Sequence, residues 1–179
     1  MGGGGGGVAA YVRNEFSVSK LSMTSDCADY ETLWLKLDWN SKIIICTVVY
    51  NPPKPIYNVS IFKDFLFNSV YDLVATEPNC IVLLAGNFNQ LEDNDVCMSG
   101  LVSLVRAPTR GPNFLDRIYS SAQIDCNVKV VKSAVKSDHS AIGLSDPTNI
   151  VTNFIKVKKQ VQYRSQSPAQ NTLFLSHVN

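Results

Sequence analysis

Four short passages hold the side chains best suited to chemistry: Gly86-Asn87-Phe88-Asn89, Pro108-Thr109-Arg110-Gly111, Asn113-Phe114-Leu115-Asp116-Arg117-Ile118-Tyr119 and Ser137-Asp138-His139-Ser140. The first follows an apolar run, so Asn87 and Asn89 place two side-chain amides at a strand's C-terminal edge, where α/β sheets usually present ligands. Amides hold polar ligands or water but take up no proton. His139 adds an imidazole, a group that can take up and give back a proton. Each feature has an ordinary reading by itself. Gly and Asn are common turn residues, and an isolated histidine before an apolar strand is more often a packed or capping residue. Their joint occurrence in this order is specific.

The elements that must position these residues are legible in the hydrophobic pattern. Val8 to Val12 and Phe16 to Leu21 read as short strands joined by Arg13-Asn14-Glu15. Leu33, Leu35, Leu37 and Trp39 alternate with Thr32, Trp34, Lys36 and Asp38, the period of a half-buried strand. Ile43 to Tyr50 is continuously apolar and β-branched, as a strand covered on both faces would be. Asn40-Ser41-Lys42 makes a plausible hairpin between the two.

Pro52, Pro53 and Pro55 stop that strand. From Asn58, a good N-cap, apolar residues recur at Phe62, Phe65, Leu66, Val70, Leu73 and Val74, which predicts a helix that ends before Pro78-Asn79. Cys80 to Ala85 is a second buried strand, so strand, helix and strand suggest an α/β crossover. Shorter strands are expected near Leu115 to Ser120, Asn127 to Val131 and Ser140 to Leu144. Beyond Pro147 the chain turns polar and basic, as a linker or an appended helix would.

Composition narrows the function classes. The chain has 179 residues with Lys+Arg 16 against Asp+Glu 15, a net charge of +1, which argues against a strongly basic nucleic-acid clamp. With 45% hydrophobic and 17% charged residues it is too apolar to be disordered, and one globular domain is the expectation. No stretch reaches the roughly 18 apolar residues of a membrane span, so no membrane partner is expected. No secretory signal is visible, and five widely spaced cysteines form no C-x-x-C pair. Free thiols in the nucleus or cytoplasm are the simplest reading. The run Gly2 to Gly7 reads, on composition alone, as a flexible linker.

Taken together, GGGVAAYVRNEF, LWLKL, VVYNPP, LLAGNFN, the PTRG loop, NFLDRIY and SDHSAI resemble the endonuclease/exonuclease/phosphatase superfamily. Within it, they are similar to the apurinic-like endonuclease domain of non-LTR (LINE-type) retrotransposons. The resemblance covers about residues 4 to 144, and YRSQSPAQNTLFL resembles the segment leading toward a reverse transcriptase. It implies a DNase I-like α/β fold: a four-layer sandwich of two mixed sheets face to face, flanked by helices. The domain would occupy residues 1–146, and residues 147–179 would lead toward the reverse transcriptase of the parent element.

The resemblance also implies roles. His139 would contact the scissile phosphate, with Asp138 beside it on the metal side. Asp116 would accept a hydrogen bond from the imidazole and fix its tautomer, Tyr50 would bind the phosphate, and Asn89 would position the nucleophilic water. Arg110, with Thr109 and Asn113 in the same loop, would meet the DNA phosphate backbone. Magnesium would be the cofactor. The ordinary alternatives are a turn cap for Asp116, strand-end packing for Tyr50 and a solvated surface arginine for Arg110.

Two departures bear on activity. Where the family has G-D-F-N this chain has Asn87, which holds a water but accepts no proton, a loss typically on the order of 100-fold to 10,000-fold in rate. The family's N-terminal segment, which supplies a metal-binding glutamate, does not precede the glycine run, and Glu15 and Glu31 fall in later strands as poor substitutes. One sheet is therefore expected to be incomplete, with an exposed edge or face. The resulting expectation is an impaired, truncated descendant of a magnesium-dependent endonuclease. An active endonuclease is the first alternative, and a phosphatase or weak nucleic-acid-binding module on the same fold is the second.

Overall fold

The computed structural model describes residues 7–23, 29–39, 42–97 and 100–145. Residues 147–179, the YRSQSPAQNTLFL passage, most of the glycine run and the proposed hairpin residues Asn40 and Ser41 lie outside the described residues. Strands β1 (Ser17–Leu21), β2 (Glu31–Trp39), β3 (Lys42–Tyr50), β4 (Cys80–Asn87), β5 (Val102–Ser103) and β6 (Asp116–Ser120) form one sheet in the order β1-β2-β3-β4-β6-β5. β7 (Asn127–Val131) and β8 (Ala141–Ser145) pair antiparallel as a second, two-stranded sheet.

Among the described strands only β3 and β4 run parallel, and helix α1 (Val59–Thr76) makes the crossover between them. Asn58 starts the helix by accepting hydrogen bonds from Ser60 N–H at 2.8 Å and Ile61 N–H at 3.4 Å. The Glu77 N–H closes it by donating to the Leu73 carbonyl, one residue before Pro78. Phe62, Phe65, Leu66 and Val70 are its buried apolar face. They cover a register row running across four strands: Trp34, Thr47, Leu84 and Tyr119, each 1% exposed or less. Burial of such large side chains is worth roughly 1.5–3 kcal/mol each and supplies the main drive for this layer.

The alternation in β2 marks Leu33, Leu35, Leu37 and Trp39 as one face, yet Trp34 on the other face is the deeply buried residue. Both faces of this sheet are apolar. The second face carries Leu35, Cys46 and Leu83 in register and is half-buried. A cavity of about 510 Å³ is lined by Trp39, Ile44, Ile81 and Leu83 from the large sheet and by Cys126 and Leu144 near the small one.

Three local expectations change. Val8 to Val12 forms no strand and Tyr11 is fully exposed, since among the described residues no strand pairs with this segment. Glu15 is likewise outside any strand and pairs with Arg13 at 2.8 Å on the surface. The short helix α2 (Asp93–Cys97) and strand β5 are additional, and they bury Val96 and Ser103 against the β4 and β6 end of the core. Among the described residues, no helix is long and apolar enough to cross a membrane. Cys46, Cys80, Cys97 and Cys126 are free thiols, and burial pushes the Cys46 thiol above its ordinary range.

Candidate active site

The parallel strands β3 and β4 end side by side, and β6 starts beside the end of β4. Register therefore aligns Glu31, Tyr50, Asn87 and Asp116 as one row across four strands at a single edge of the sheet. Cross-strand partners share a face. Gly86 permits the approach just before this row. Its φ is +149°, and a Cβ there would lie 1.8 Å from the Val49 carbonyl oxygen, so only glycine fits.

His139 joins the row from the loop before β8. Its Nδ1 lies 2.7 Å from Asp116 Oδ2, and both side chains are largely shielded from solvent. A carboxylate accepts and does not donate, so Nδ1 carries the proton of this bond and Nε2 is not engaged by it. The tautomer is thus set by the partner.

Thr109 explains how the pair is held. Its buried Oγ1 accepts from the backbone N–H groups of Leu115 at 3.2 Å and Asp116 at 3.0 Å, while its carbonyl accepts from Ser140 N–H at 2.7 Å. One residue thereby fixes the strand carrying Asp116 and the loop carrying His139. Ser137 Oγ adds a bond from His139 N–H at 3.0 Å. The resemblance would put Thr109 in contact with DNA, but it is 1% exposed and gives its Oγ1 to backbone N–H groups. Arg110 and Asn113 close the same loop through mutual backbone bonds, and both remain exposed.

The G-N-F-N turn is anchored from below by Asn51, which lies outside the four passages that carry the chemistry. Asn51 is fully buried. Its N–H donates to the Asn87 carbonyl at 2.9 Å, its Nδ2 donates to the Phe88 carbonyl at 3.1 Å, and its Oδ1 accepts from the Tyr57 hydroxyl at 3.0 Å. Asn89 sits at φ +45°, a left-handed conformation that Asn tolerates better than most residues. Its Nδ2 donates to the Asn51 carbonyl at 2.7 Å. The available signal was a polar residue lodged between an apolar strand and two prolines.

A buried network supports the far side of the turn. Arg117 reaches the Leu91 carbonyl and the Tyr119 hydroxyl, and Tyr119 donates to Asp93 at 2.8 Å. The Arg117 Nε is 3.3 Å from Asp93 but is not aligned to donate. Burial is the leading cause that pushes the Tyr119 phenol far above its usual range, followed by its bond to Asp93.

No protein-family model matches the sequence, and no curated protein does. Solved structures do. A truncated Caenorhabditis elegans TDP2 superposes with a TM-score of 0.55 at 15% identity, covering 73% of this chain and 66% of that one. The fold is DNase I-like. A second Caenorhabditis elegans TDP2 structure gives 0.54 at 14% identity, with 73% and 51% covered, so the chain spans between about half and two thirds of these proteins. The endonuclease domain of TRAS1, a telomere-specific non-LTR retrotransposon, gives 0.48 at 11% identity, with 73% and 79% covered.

Magnesium would need converging oxygen ligands. Among the described residues, no group of three or more His, Cys, Asp or Glu side chains is placed to hold a metal ion. Asp138, the expected metal ligand, gives its carboxylate to Arg110 at 2.6 Å, Asp116 is engaged with His139, and Asn87 is neutral. Magnesium usually takes only one or two protein carboxylates, with waters and phosphate completing its shell, and the carboxylates of this row that would hold it are Glu31 and Asp116. Glu31 stands nearer than expected: it shares the row beside Tyr50, and its Oε2 is enclosed with no hydrogen-bond partner among the described residues.

Proposed function

We propose that this domain engages the phosphodiester backbone of DNA at the row formed by Tyr50, Asn87 and Asp116, as an impaired descendant of a retrotransposon-type endonuclease. The carrying observation is the His139–Asp116 pair at 2.7 Å, set beside an amide at position 87. The pair presents Nε2 to a phosphate or leaving-group oxygen and is built for proton transfer. The amide supplies no acid or base, and the Arg110–Asp138 ion pair withholds a further carboxylate.

Both features fit phosphodiester recognition with weak hydrolysis. The sequence resemblance supports DNA as the polymer and a reverse transcriptase as the companion domain in the parent element. An active endonuclease is the second reading, favoured by the intact histidine–aspartate pair.

Salt-dependent binding of a DNA duplex by the full chain tests the proposal. Binding should weaken with rising salt, and Arg110→Ala should lower the slope by about one unit, as expected for loss of one phosphate contact. Absence of DNA binding at low salt would overturn the assignment.

A further inference from the structure

The hydrogen bonds of the G-N-F-N turn determine which end of each amide is free. The backbone N–H of Asn89 lies 3.0 Å from the Asn87 side chain and needs an acceptor, so the atom facing it is Oδ1. Asn87 Nδ2 is left without a partner among the described residues. At Asn89 the reverse holds. The Asn51 carbonyl, 2.7 Å away, can only accept, so Nδ2 faces it and Oδ1 has no partner among the described residues. The two amides therefore offer opposite polarity, a donor at 87 and an acceptor at 89.

We propose that Asn87 is a phosphate-binding donor: its Nδ2 hydrogen-bonds a non-bridging oxygen of a phosphate ester, and no cation is needed at this position. The inference rests on the reading of this edge as a phosphodiester site and deepens it. An aspartate here would preserve the turn, because one carboxylate oxygen still accepts from Asn89 N–H. Its other oxygen would replace Nδ2 with negative charge facing the phosphate, and the two anions would tolerate each other only across a bound cation. Asn89 Oδ1 complements this arrangement by accepting from a water or a hydroxyl of the ligand. Asn51 and Tyr57 hold both polarities in place, since Asn51 bonds the carbonyls of Asn87 and Phe88 and supports the Asn89 amide.

The test is binding of a labelled DNA duplex to the full chain in EDTA, read by fluorescence anisotropy for wild type, N87A and N87D. A hydrogen bond to a charged group sets the scale: N87A should weaken binding by about 10-fold, and N87D by at least that much. Added magnesium should recover N87D and leave wild type unchanged. N87D binding as tightly as wild type in EDTA overturns the proposal.

Thermal unfolding checks that N87D folds. If it does not, the Asn87 side-chain NH2 resonances of the wild-type chain decide the matter during titration with inorganic phosphate: movement supports the proposal and stationary resonances overturn it. The outcome is separable from the nuclease question. A chain that binds through Asn87 but leaves plasmid intact keeps this inference, whereas vigorous nicking with N87D indifferent in binding defeats it and leaves the enzyme reading standing.

Discussion

Asp116 and His139 lie 23 residues apart in sequence and meet at 2.7 Å, oxygen to Nδ1, beside the end of a buried parallel strand pair. Neither side chain reaches this geometry through its own element alone. Asp116 begins β6, His139 sits in the loop before β8, and Thr109 bonds the backbone of both segments.

Replacing Asp116 by Asn should disturb the tautomer while keeping the shape. The new amide can donate to Nδ1, which moves the imidazole proton toward Nε2. Long-range proton–nitrogen spectra of His139 should show the Nδ1–H form in wild type and a shift toward Nε2–H in D116N. An unchanged ring pattern would mean that Asp116 does not set the tautomer.

Thr109→Val removes a buried acceptor from two backbone N–H groups while nearly conserving volume. Leaving such donors unsatisfied costs about 1–3 kcal/mol. Urea unfolding should show that loss, and Thr109→Ser should recover most of it. Equal midpoints for the valine variant and wild type would contradict the positioning role.

At Gly86 a methyl group has no room. Its Cβ would meet the Val49 carbonyl oxygen at 1.8 Å, so β3 and β4 must separate locally beside Asn87. Gly86→Ala should destabilise the domain by about 3 kcal/mol or more, in the range reserved for backbone strain and core disruption. A loss below about 1 kcal/mol by denaturant titration would show that the strand pair yields easily, the ordinary outcome of a mild substitution.

The Tyr57–Asn51 bond carries a pH signature. Burial is the leading cause that pushes the Tyr57 phenol up to about 12, above an unperturbed value of about 10. The folded state holds this proton more tightly than the unfolded state does. Its contribution is therefore full below the unfolded value and is lost as pH rises through the window from about 10 to about 12. Tyr57→Phe should cost about 1 kcal/mol at neutral pH and flatten only part of the alkaline decline, because the buried Tyr119 phenol and Cys46 thiol are also pushed up by burial. An alkaline slope identical to wild type would contradict this linkage.

The order of legibility follows physical cause. β2, β3, β4 and α1 announce themselves because each is long enough for its hydrophobic period to repeat, and Asn58 marks the helix start through local chemistry. α2 and β5 are too short for a period to register. Alternation in β2 separates two faces but cannot say which lies deeper, and Trp34 shows that the helix-facing side wins.

At the site, His139, Asp116 and Asn87 were recognisable as a set of motifs. The work of Thr109 and Asn51 was not, because both act largely through bonds to backbone groups of other segments. The polarity of the Asn87 and Asn89 amides likewise exists only once the turn is folded.

The most direct test of the impaired-endonuclease account is supercoiled-plasmid nicking by the full chain in magnesium, with His139→Ala alongside. The account predicts DNA binding accompanied by little or no nicking in both proteins. Vigorous conversion to nicked circles that disappears in H139A would contradict it and establish the chain as an active endonuclease.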